Sequence, residues 1–270
     1  MRSNESRDLN FAANLKWLFS DLPLDARFAA AADHGFRGVE YPTPYERSVS
    51  EFASLLSASD LKLVLINTPA YGSAEKLVTG IACDPARRVE YRSDVERGLE
   101  YATGLGVDLL HVVGGPVPHG VSNDRAWNEY VLNIAWAAEM ANGTGVTLLI
   151  EPQNEFDSPG FVLRTQSQAV ALLEAIGSER VKLLFDVFHV QMQEGNVTTK
   201  LLECAPHIGH VQIADSPNRT EPGVGELAWG HLFRQLAGIG YRGWIGCEYH
   251  PTTVQGSSIE WLRKVGASQC

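Results

Sequence analysis

Eight short apolar runs alternate with amphipathic segments along the chain, and this alternation restricts the fold more than any other feature. The runs lie near residues 10–15, 37–41, 61–67, 108–113, 146–151, 181–186, 208–213 and 244–249. Runs of this length between helical patterns are typical of buried parallel strands joined by crossover helices. Eight units favour a closed (β/α)8 barrel over an open, doubly wound sheet.

The segments between the runs carry helical spacing. Leu232, Leu236 and Ile239 are spaced i, i+4, i+7, which places them on one helix face. The first helix is predicted over residues 23–34, with Gly35 as its stop signal. No GxGxxG or GxxxxGK[ST] motif follows any run, so the two commonest nucleotide-binding versions of the open sheet have no support.

The composition is that of one globular domain. The chain has 270 residues, of which 44% are hydrophobic, and no Pro-, Ser- or Gly-rich linker interrupts it. An α/β barrel of this length is ordinary, so we predict a single domain over residues 1–270. The four cysteines show no CxxC spacing and are too sparse for a disulfide framework, which predicts reduced thiols.

Charge and hydropathy restrict the partners. A formal net charge of −10 argues against nucleic acid, because binding of phosphates depends on Lys and Arg. No apolar stretch approaches the roughly 20 residues needed to cross a bilayer. The polar start MRSNESRDLN does not resemble a signal peptide, so a cytoplasmic location is expected.

Four polar residues stand at the ends of the later apolar runs: Glu151, Asp186, Gln212 and Glu248. They lie 35, 26 and 36 residues apart, about one strand-plus-helix unit each. Strand ends of a barrel converge on the face that carries the chemistry. Three carboxylates and an amide carbonyl are hard oxygen donors, so one divalent ion, Mg²⁺ or Mn²⁺, is expected there instead of a structural zinc.

Two of these carboxylates suit proton transfer. Glu151 and Glu248 are predicted as a catalytic pair, in which a glutamate takes a proton from a carbon next to a carbonyl. His189 and Arg219 follow the predicted ligands by a few residues and are predicted to bind the substrate. A guanidinium can engage both oxygens of a carboxylate, which favours Arg219 as the anchor of a substrate carboxylate.

Five further residues have open assignments. Glu40 is either a site residue or a structural partner, while His111 is expected to be a hydrogen-bonded residue of the barrel. His210 either supports Gln212 from behind or packs in the core. Trp17 and Phe19 follow the first strand and belong either to the pocket wall or to the core.

Seven sequence motifs are spread along nearly the whole chain. They are NLKWLF (14–19), ADHGFRGVEYPTPY (32–45), GIAC (80–83), IEPQN (150–154), FDVFHVQ (185–191), IGHVQIADSPNRTEPGVGEL (208–227) and GWIGCEYHP (243–251). Together they resemble the hydroxypyruvate isomerase family of the xylose-isomerase-like barrels. The most specific part is the motif at 208–227 with the GCEY that follows it.

The resemblance implies a (β/α)8 TIM barrel and an aldose-ketose type isomerase. Its substrate would be a short hydroxy-oxo acid, either hydroxypyruvate, converted to tartronate semialdehyde, or a 2-oxo-tetronate. It also implies one divalent ion held by the four residues chosen above, with Glu151 and Glu248 as the acid/base pair and His189 and Arg219 near the substrate.

One segment departs from the family. After Glu151-Pro152 the family reads close to INPRDIPGY, whereas this chain reads QNEFDSPGF, so Phe156 replaces a basic residue. Because the loss of a charge beside the mouth alters what the pocket accepts, we expect the loop from Gln153 to Phe156 to influence substrate specificity.

Several alternatives stay open at this point. A ketose 3-epimerase would use the same glutamate pair on a free ketose. Metal-dependent dehydration or DNA-repair hydrolysis uses related barrels, although the acidic balance argues against a repair nuclease. A non-catalytic barrel that binds sugar or metal is the hypothesis from another class. The expected partner is a small-molecule substrate, and self-association into a homo-oligomer is left open.

Overall fold

Eight parallel strands close into a barrel in which each strand pairs with the next and β1 pairs with β8. The structure is a computed structural model, and it describes residues 9–71, 79–253 and 257–265. The strands are β1 Asn10–Asn14, β2 Gly38–Glu40, β3 Lys62–Asn67, β4 Leu109–His111, β5 Thr147–Ile150, β6 Val181–Asp186, β7 Ile208–Ile213 and β8 Trp244–Cys247. The predicted closed barrel is confirmed.

Helices follow the strands and form the outer layer. Within the described ranges they are α1 Leu24–Asp33, α2 Val49–Ser59, α3 Arg88–Leu105, α4 Asn123–Met140, α5 Gln166–Ile176, α6 Val187–Gln193, α7 Val197–Cys204, α8 Trp229–Gly238 and α9 Trp261–Lys264. The predicted first helix is correct to within one residue at each end. It ends before Gly35, whose φ of 89° is a left-handed conformation that favours glycine.

Two apolar layers hold the barrel together. A small cluster of buried apolar residues is formed by Ala12, Val64, Leu65, Leu149 and Leu184. A much larger cluster includes residues of both the strands and the surrounding helices. Barrels of this kind carry their chemistry at the carboxyl ends of the strands.

Other features bear on the remaining predictions. Cys83, Cys204 and Cys247 are buried free thiols, as expected, whereas Cys270 lies outside the described residues. A search of the described helices finds no candidate for a membrane span. That residues 1–270 form a single domain stays a prediction.

Candidate active site

The four predicted ligands meet at the carboxyl-terminal mouth of the barrel. Asp186 is the last residue of β6 and pairs in register with Gln212, the next-to-last residue of β7. Glu151 and Glu248 follow directly after β5 and β8 instead of ending those strands.

A cavity of about 430 Å³ opens at this mouth. Glu151, Gln212 and Glu248 line it, and so do His189 and Arg219, the two residues predicted to bind substrate. Asp186 lies in the wall behind them, with 2% of its surface exposed.

Arg219 holds the carboxylates together. Its Nη2 donates to Glu248 Oε2 at 2.7 Å and to Asp186 Oδ2 at 3.4 Å, and its Nη1 donates to Asp157 Oδ2 at 3.4 Å. The guanidinium carbon lies 4.6 Å from the centroid of the Trp17 ring and 5.0 Å from that of Phe188. Arg219 is thus clamped between two aromatic faces while it faces acidic groups.

The carboxylates repel one another in a poorly solvated place. Burial raises the pKa of Glu151 well above its usual range, and the charges of Glu248 and Asp186 add to that shift. Burial also raises the pKa of Glu248 to about 7, although Arg219 opposes the shift. The pKa of Asp186 is raised by burial and partly lowered again by Arg219. Each shift disfavours the charged form of the carboxyl group, and burial is its largest cause.

A divalent cation fits this arrangement. Three carboxylates face a single guanidinium, and Glu151 Oε1 is a buried oxygen without a hydrogen-bond partner among the described residues. Ligand atoms of Glu151, Asp186 and His189 lie within 4.8 Å of one another. Burial lowers the pKa of His189 well below its usual value, so its ring is neutral. Its Nδ1 accepts from the Asn154 backbone N–H at 3.2 Å, so the ring proton lies on Nε2, which faces Asp186 at 3.7 Å and Glu151 at 3.9 Å.

Glu40 settles the orientation of the Gln212 amide. The Glu40 carboxylate is fully buried and accepts from Gln212 Nε2 at 2.8 Å and from Asn14 Nδ2 at 3.0 Å. Because the amide nitrogen of Gln212 is committed to Glu40, its carbonyl oxygen is the end left for the cavity. His210 Nε2 lies 2.5 Å from the other oxygen of Glu40. Glu40 is thus a structural partner of the ligands, and His210 supports it from behind.

Asn14 is a site residue that was not predicted from the sequence. Its Nδ2 donates to both Glu40 Oε2 and Glu248 Oε1, each at 3.0 Å, so it ties the fully buried carboxylate to the partly buried one. Asn14 ends β1, the same strand position that identified Asp186. That position was the available signal, but an asparagine at a strand end is too common to be noticed alone.

His111 and the two aromatic residues after β1 now have assignments. His111 lines the cavity, and its Nε2 lies 3.7 Å from Glu151 Oε2 without a hydrogen-bond partner among the described residues. The expectation of a hydrogen-bonded barrel residue is therefore wrong at this nitrogen. Burial lowers the pKa of His111 to about 3. Trp17 lines the cavity, while Phe19 is buried in the core.

The loop after β5, whose sequence departs from the family pattern, lies at the site with its first residue, Gln153. Gln153 lines the cavity and donates to Glu151 Oε2 at 2.7 Å, so it orients a predicted catalytic carboxylate. Phe156 is 74% exposed and is not among the residues that line the cavity. The influence of this loop on specificity stays a prediction, and within residues 153–156 it is Gln153 that lines the cavity.

Asp215 fixes the loop that carries Arg219. It is fully buried and accepts from the backbone N–H groups of Gly223 and Gly225 and from the Trp229 indole, at 2.8, 2.9 and 2.9 Å. Arg219 has a φ of 53°, a left-handed conformation that is costly for a side chain of this size. The loop around Asp215 holds it there.

Comparison with known proteins finds relatives over nearly the whole chain. The sequence profile of a family described as "Xylose isomerase-like TIM barrel" matches residues 28–265. The hydroxypyruvate isomerase of Escherichia coli K12 is 39% identical over 256 residues, covering 94% of this chain and 98% of the relative. The 2-oxo-tetronate isomerase of Cupriavidus necator is 41% identical over 253 residues, covering 94% and 97%.

A solved structure extends the likeness to three dimensions. The crystal structure described as an AP endonuclease, family 2, from Brucella melitensis superposes with a TM-score of 0.88 at 34% identity. The match covers 95% of this chain and 98% of the other. The likeness therefore extends over nearly the whole of both chains.

Proposed function

This chain belongs to the xylose isomerase-like TIM barrel family, and we propose that it is a metal-dependent isomerase of a short hydroxy-oxo acid. That it is an isomerase follows from relatives about 40% identical over nearly the full chain, which are named hydroxypyruvate isomerase and 2-oxo-tetronate isomerase. Hydroxypyruvate is the proposed substrate to test first, with 2-oxo-tetronates next.

One observation carries the proposal. Two glutamates from different sides of the barrel, Glu151 after β5 and Glu248 after β8, line the same cavity beside a buried aspartate. An isomerisation between adjacent carbons needs a base placed at a C–H bond and a means of holding the neighbouring oxygens. The cavity offers both.

The donor set suits one divalent ion, Mg²⁺ or Mn²⁺. Glu151, Asp186, Gln212 and Glu248 are the proposed ligands, with His189 within reach of the first two. When bound, such an ion supplies electrostatic stabilisation to negative charge that develops on substrate oxygens.

Proton transfer is assigned to the glutamates. One of them takes a proton from the hydroxymethyl carbon of hydroxypyruvate, and the proton returns to the adjacent carbon, which was the carbonyl. The hydroxyl proton moves to the former carbonyl oxygen, so the product is an aldehyde of the same formula. Asn14 and Arg219 hold Glu248 by one oxygen each, while Gln153 holds Glu151 and leaves its Oε1 free.

Exchange with solvent deuterium tests the proposal. The purified protein with Mn²⁺ is incubated with hydroxypyruvate in deuterated water, and deuterium at carbon is followed by NMR. We expect enzyme-dependent incorporation together with formation of tartronate semialdehyde. Parallel incubations contain D-fructose, a 2-oxo-tetronate, or no enzyme. Incorporation into the free ketose alone, at carbon 3, would instead identify a ketose 3-epimerase.

A further inference from the structure

The cavity wall holds a second cation besides Arg219. The guanidinium of Arg219 donates hydrogen bonds to the side chains of Glu248, Asp186 and Asp157. Its Nε also donates to the backbone carbonyl oxygen of Glu248 at 3.4 Å. Lys16 lines the same cavity, and its ammonium forms no ion pair within the part of the chain that the structure describes. An unpaired cation at the mouth of an otherwise acidic cavity is free to meet an anion from solution.

We infer that Lys16 binds the carboxylate of the substrate and thereby selects hydroxy-oxo acids over neutral ketoses. The inference rests on the proposed function, because it assigns a specificity residue to that reaction. It also shifts the main carboxylate anchor away from Arg219, whose guanidinium already neutralises protein carboxylates.

The placement of Lys16 supports this role. Lys16 lies two residues after β1, and its backbone N–H donates to Asn14 Oδ1 at 3.2 Å, which ties it to the residue that holds Glu248. Its Nζ lies 6.0 Å from the centroid of the Trp17 ring, the ring that also packs against Arg219. Burial raises the pKa of Glu248, and the charges of Arg219 and Lys16 oppose that shift, so Lys16 lies near the proposed catalytic carboxylate.

The chemistry of lysine fits a selective role of this kind. An ammonium on a flexible stem is a mobile point charge that follows a carboxylate without demanding one fixed geometry. A neutral ketose has no charged group in place of the carboxylate, so the ammonium adds little to its binding free energy. Removal of the charge should therefore weaken binding of an acid and leave a neutral substrate almost unaffected.

The experiment compares Lys16→Met with wild type on an acid and on its neutral counterpart. Hydroxypyruvate is the acid, and dihydroxyacetone carries a hydroxymethyl group in place of the carboxylate. For Lys16→Met we expect KM for hydroxypyruvate to rise about tenfold or more, because a charge-assisted hydrogen bond to the substrate is lost. We expect kcat to change by less than about threefold. Solvent deuterium exchange into dihydroxyacetone should stay within about twofold of wild type.

Three controls accompany this comparison. Lys16→Arg keeps the charge and should recover most of the affinity for hydroxypyruvate. Lys62→Met removes a lysine at the first residue of β3, at the opposite end of the barrel, and should leave KM unchanged. Calorimetric binding of D-glycerate, which has the carboxylate but no carbonyl, reports on Lys16 without turnover and should weaken in Lys16→Met only.

The outcomes separate the inference from the proposed function. If wild type isomerises hydroxypyruvate and Lys16→Met has the same KM and the same affinity for D-glycerate, Lys16 is not the anchor. Lys16 is also not the anchor if Lys16→Met weakens acid and neutral substrates equally. If wild type exchanges solvent deuterium into dihydroxyacetone but not into hydroxypyruvate, both the proposed function and the selection for acids are refuted.

Discussion

Glu248 is held on both oxygens, by Asn14 on one side and Arg219 on the other. Such bonds fix the direction of a carboxylate in a site that is open to substrate. Glu151 is held on one oxygen only, by Gln153. The two proposed catalytic glutamates are therefore not equivalent. Both carboxylate oxygens of Glu248 accept hydrogen bonds, whereas Glu151 keeps one oxygen free for a ligand.

The first prediction concerns the proposed base. Glu248→Gln should preserve the fold and lower kcat by about 10²- to 10⁴-fold, because a neutral amide cannot accept a proton from carbon. Steady-state turnover of hydroxypyruvate and solvent deuterium exchange both measure the loss. Glu179→Gln, an exposed glutamate paired with Lys182, serves as the control and should behave as wild type. Near wild-type turnover in Glu248→Gln would remove the assignment of Glu248 as acid/base.

Between strands, the Glu40 carboxylate needs space that β8 provides. A Cβ on Gly246 would lie 2.0 Å from Glu40 Oε1 and 2.7 Å from Oε2. The absence of a side chain on β8 thus allows a carboxylate from β2 to reach Gln212 on β7 and Asn14 on β1. Two strands from the start of the chain, β1 and β2, and two from its end, β7 and β8, share this one junction.

The second prediction concerns that junction. Gly246→Ala should destabilise the protein by about 1–3 kcal/mol, because the added methyl group overpacks a buried site. It should also weaken Mn²⁺ binding, since displacement of Glu40 frees the amide of Gln212. Urea unfolding and Mn²⁺ titration measure the two effects. Gly238→Ala on α8, where an added Cβ meets nothing within 4 Å, is the matched control. Equal stability of the two variants would contradict the steric argument.

The third prediction concerns the loop after β7. Asp215→Ala would leave the N–H groups of Gly223 and Gly225 and the Trp229 indole without their acceptor. We expect the free energy of unfolding to fall by about 3 kcal/mol or more, since each buried donor left unpaired costs about 1–3 kcal/mol. Loosening of Arg219 should lower kcat as well. Urea unfolding with parallel kinetics checks both, and a variant as stable as wild type would show that the loop does not depend on Asp215.

For the whole molecule, binding of an ion at the mouth should stabilise the fold. The proposed ligands come from β5, β6, β7 and β8 and their following loops, so an ion would join half of the barrel. A ligand that binds only the folded state adds stability according to its concentration relative to Kd, about 2.7 kcal/mol at one hundred times Kd.

The fourth prediction follows from this linkage. Mn²⁺ added to chelator-treated protein should raise Tm by about 5 °C or more at saturating concentration. Differential scanning fluorimetry, with EDTA to reverse the shift, is the measurement. Asp186→Asn should abolish most of the shift, whereas Asp108→Asn, a partner of Lys62 away from the site, should keep it. A shift of equal size in both variants would place the ion elsewhere.

The barrel fold, and the end of the barrel that carries the candidate site, follow from the amino-acid sequence. Eight apolar runs with helical segments between them leave few other folds, and the carboxyl ends of parallel strands must meet on one face. Glu151, Asp186, Gln212 and Glu248 could be chosen for that reason, since each follows from local strand position.

How those residues are held depends on the closed barrel. The bonds that Glu40 accepts from Asn14 and Gln212 and the clamping of Arg219 by acidic groups depend on strands that meet only when the barrel closes. Spacing along the chain specifies which face a side chain occupies. It does not specify its partner across the lumen, because that partner is set by strand register and by the space that neighbouring residues such as Gly246 leave open.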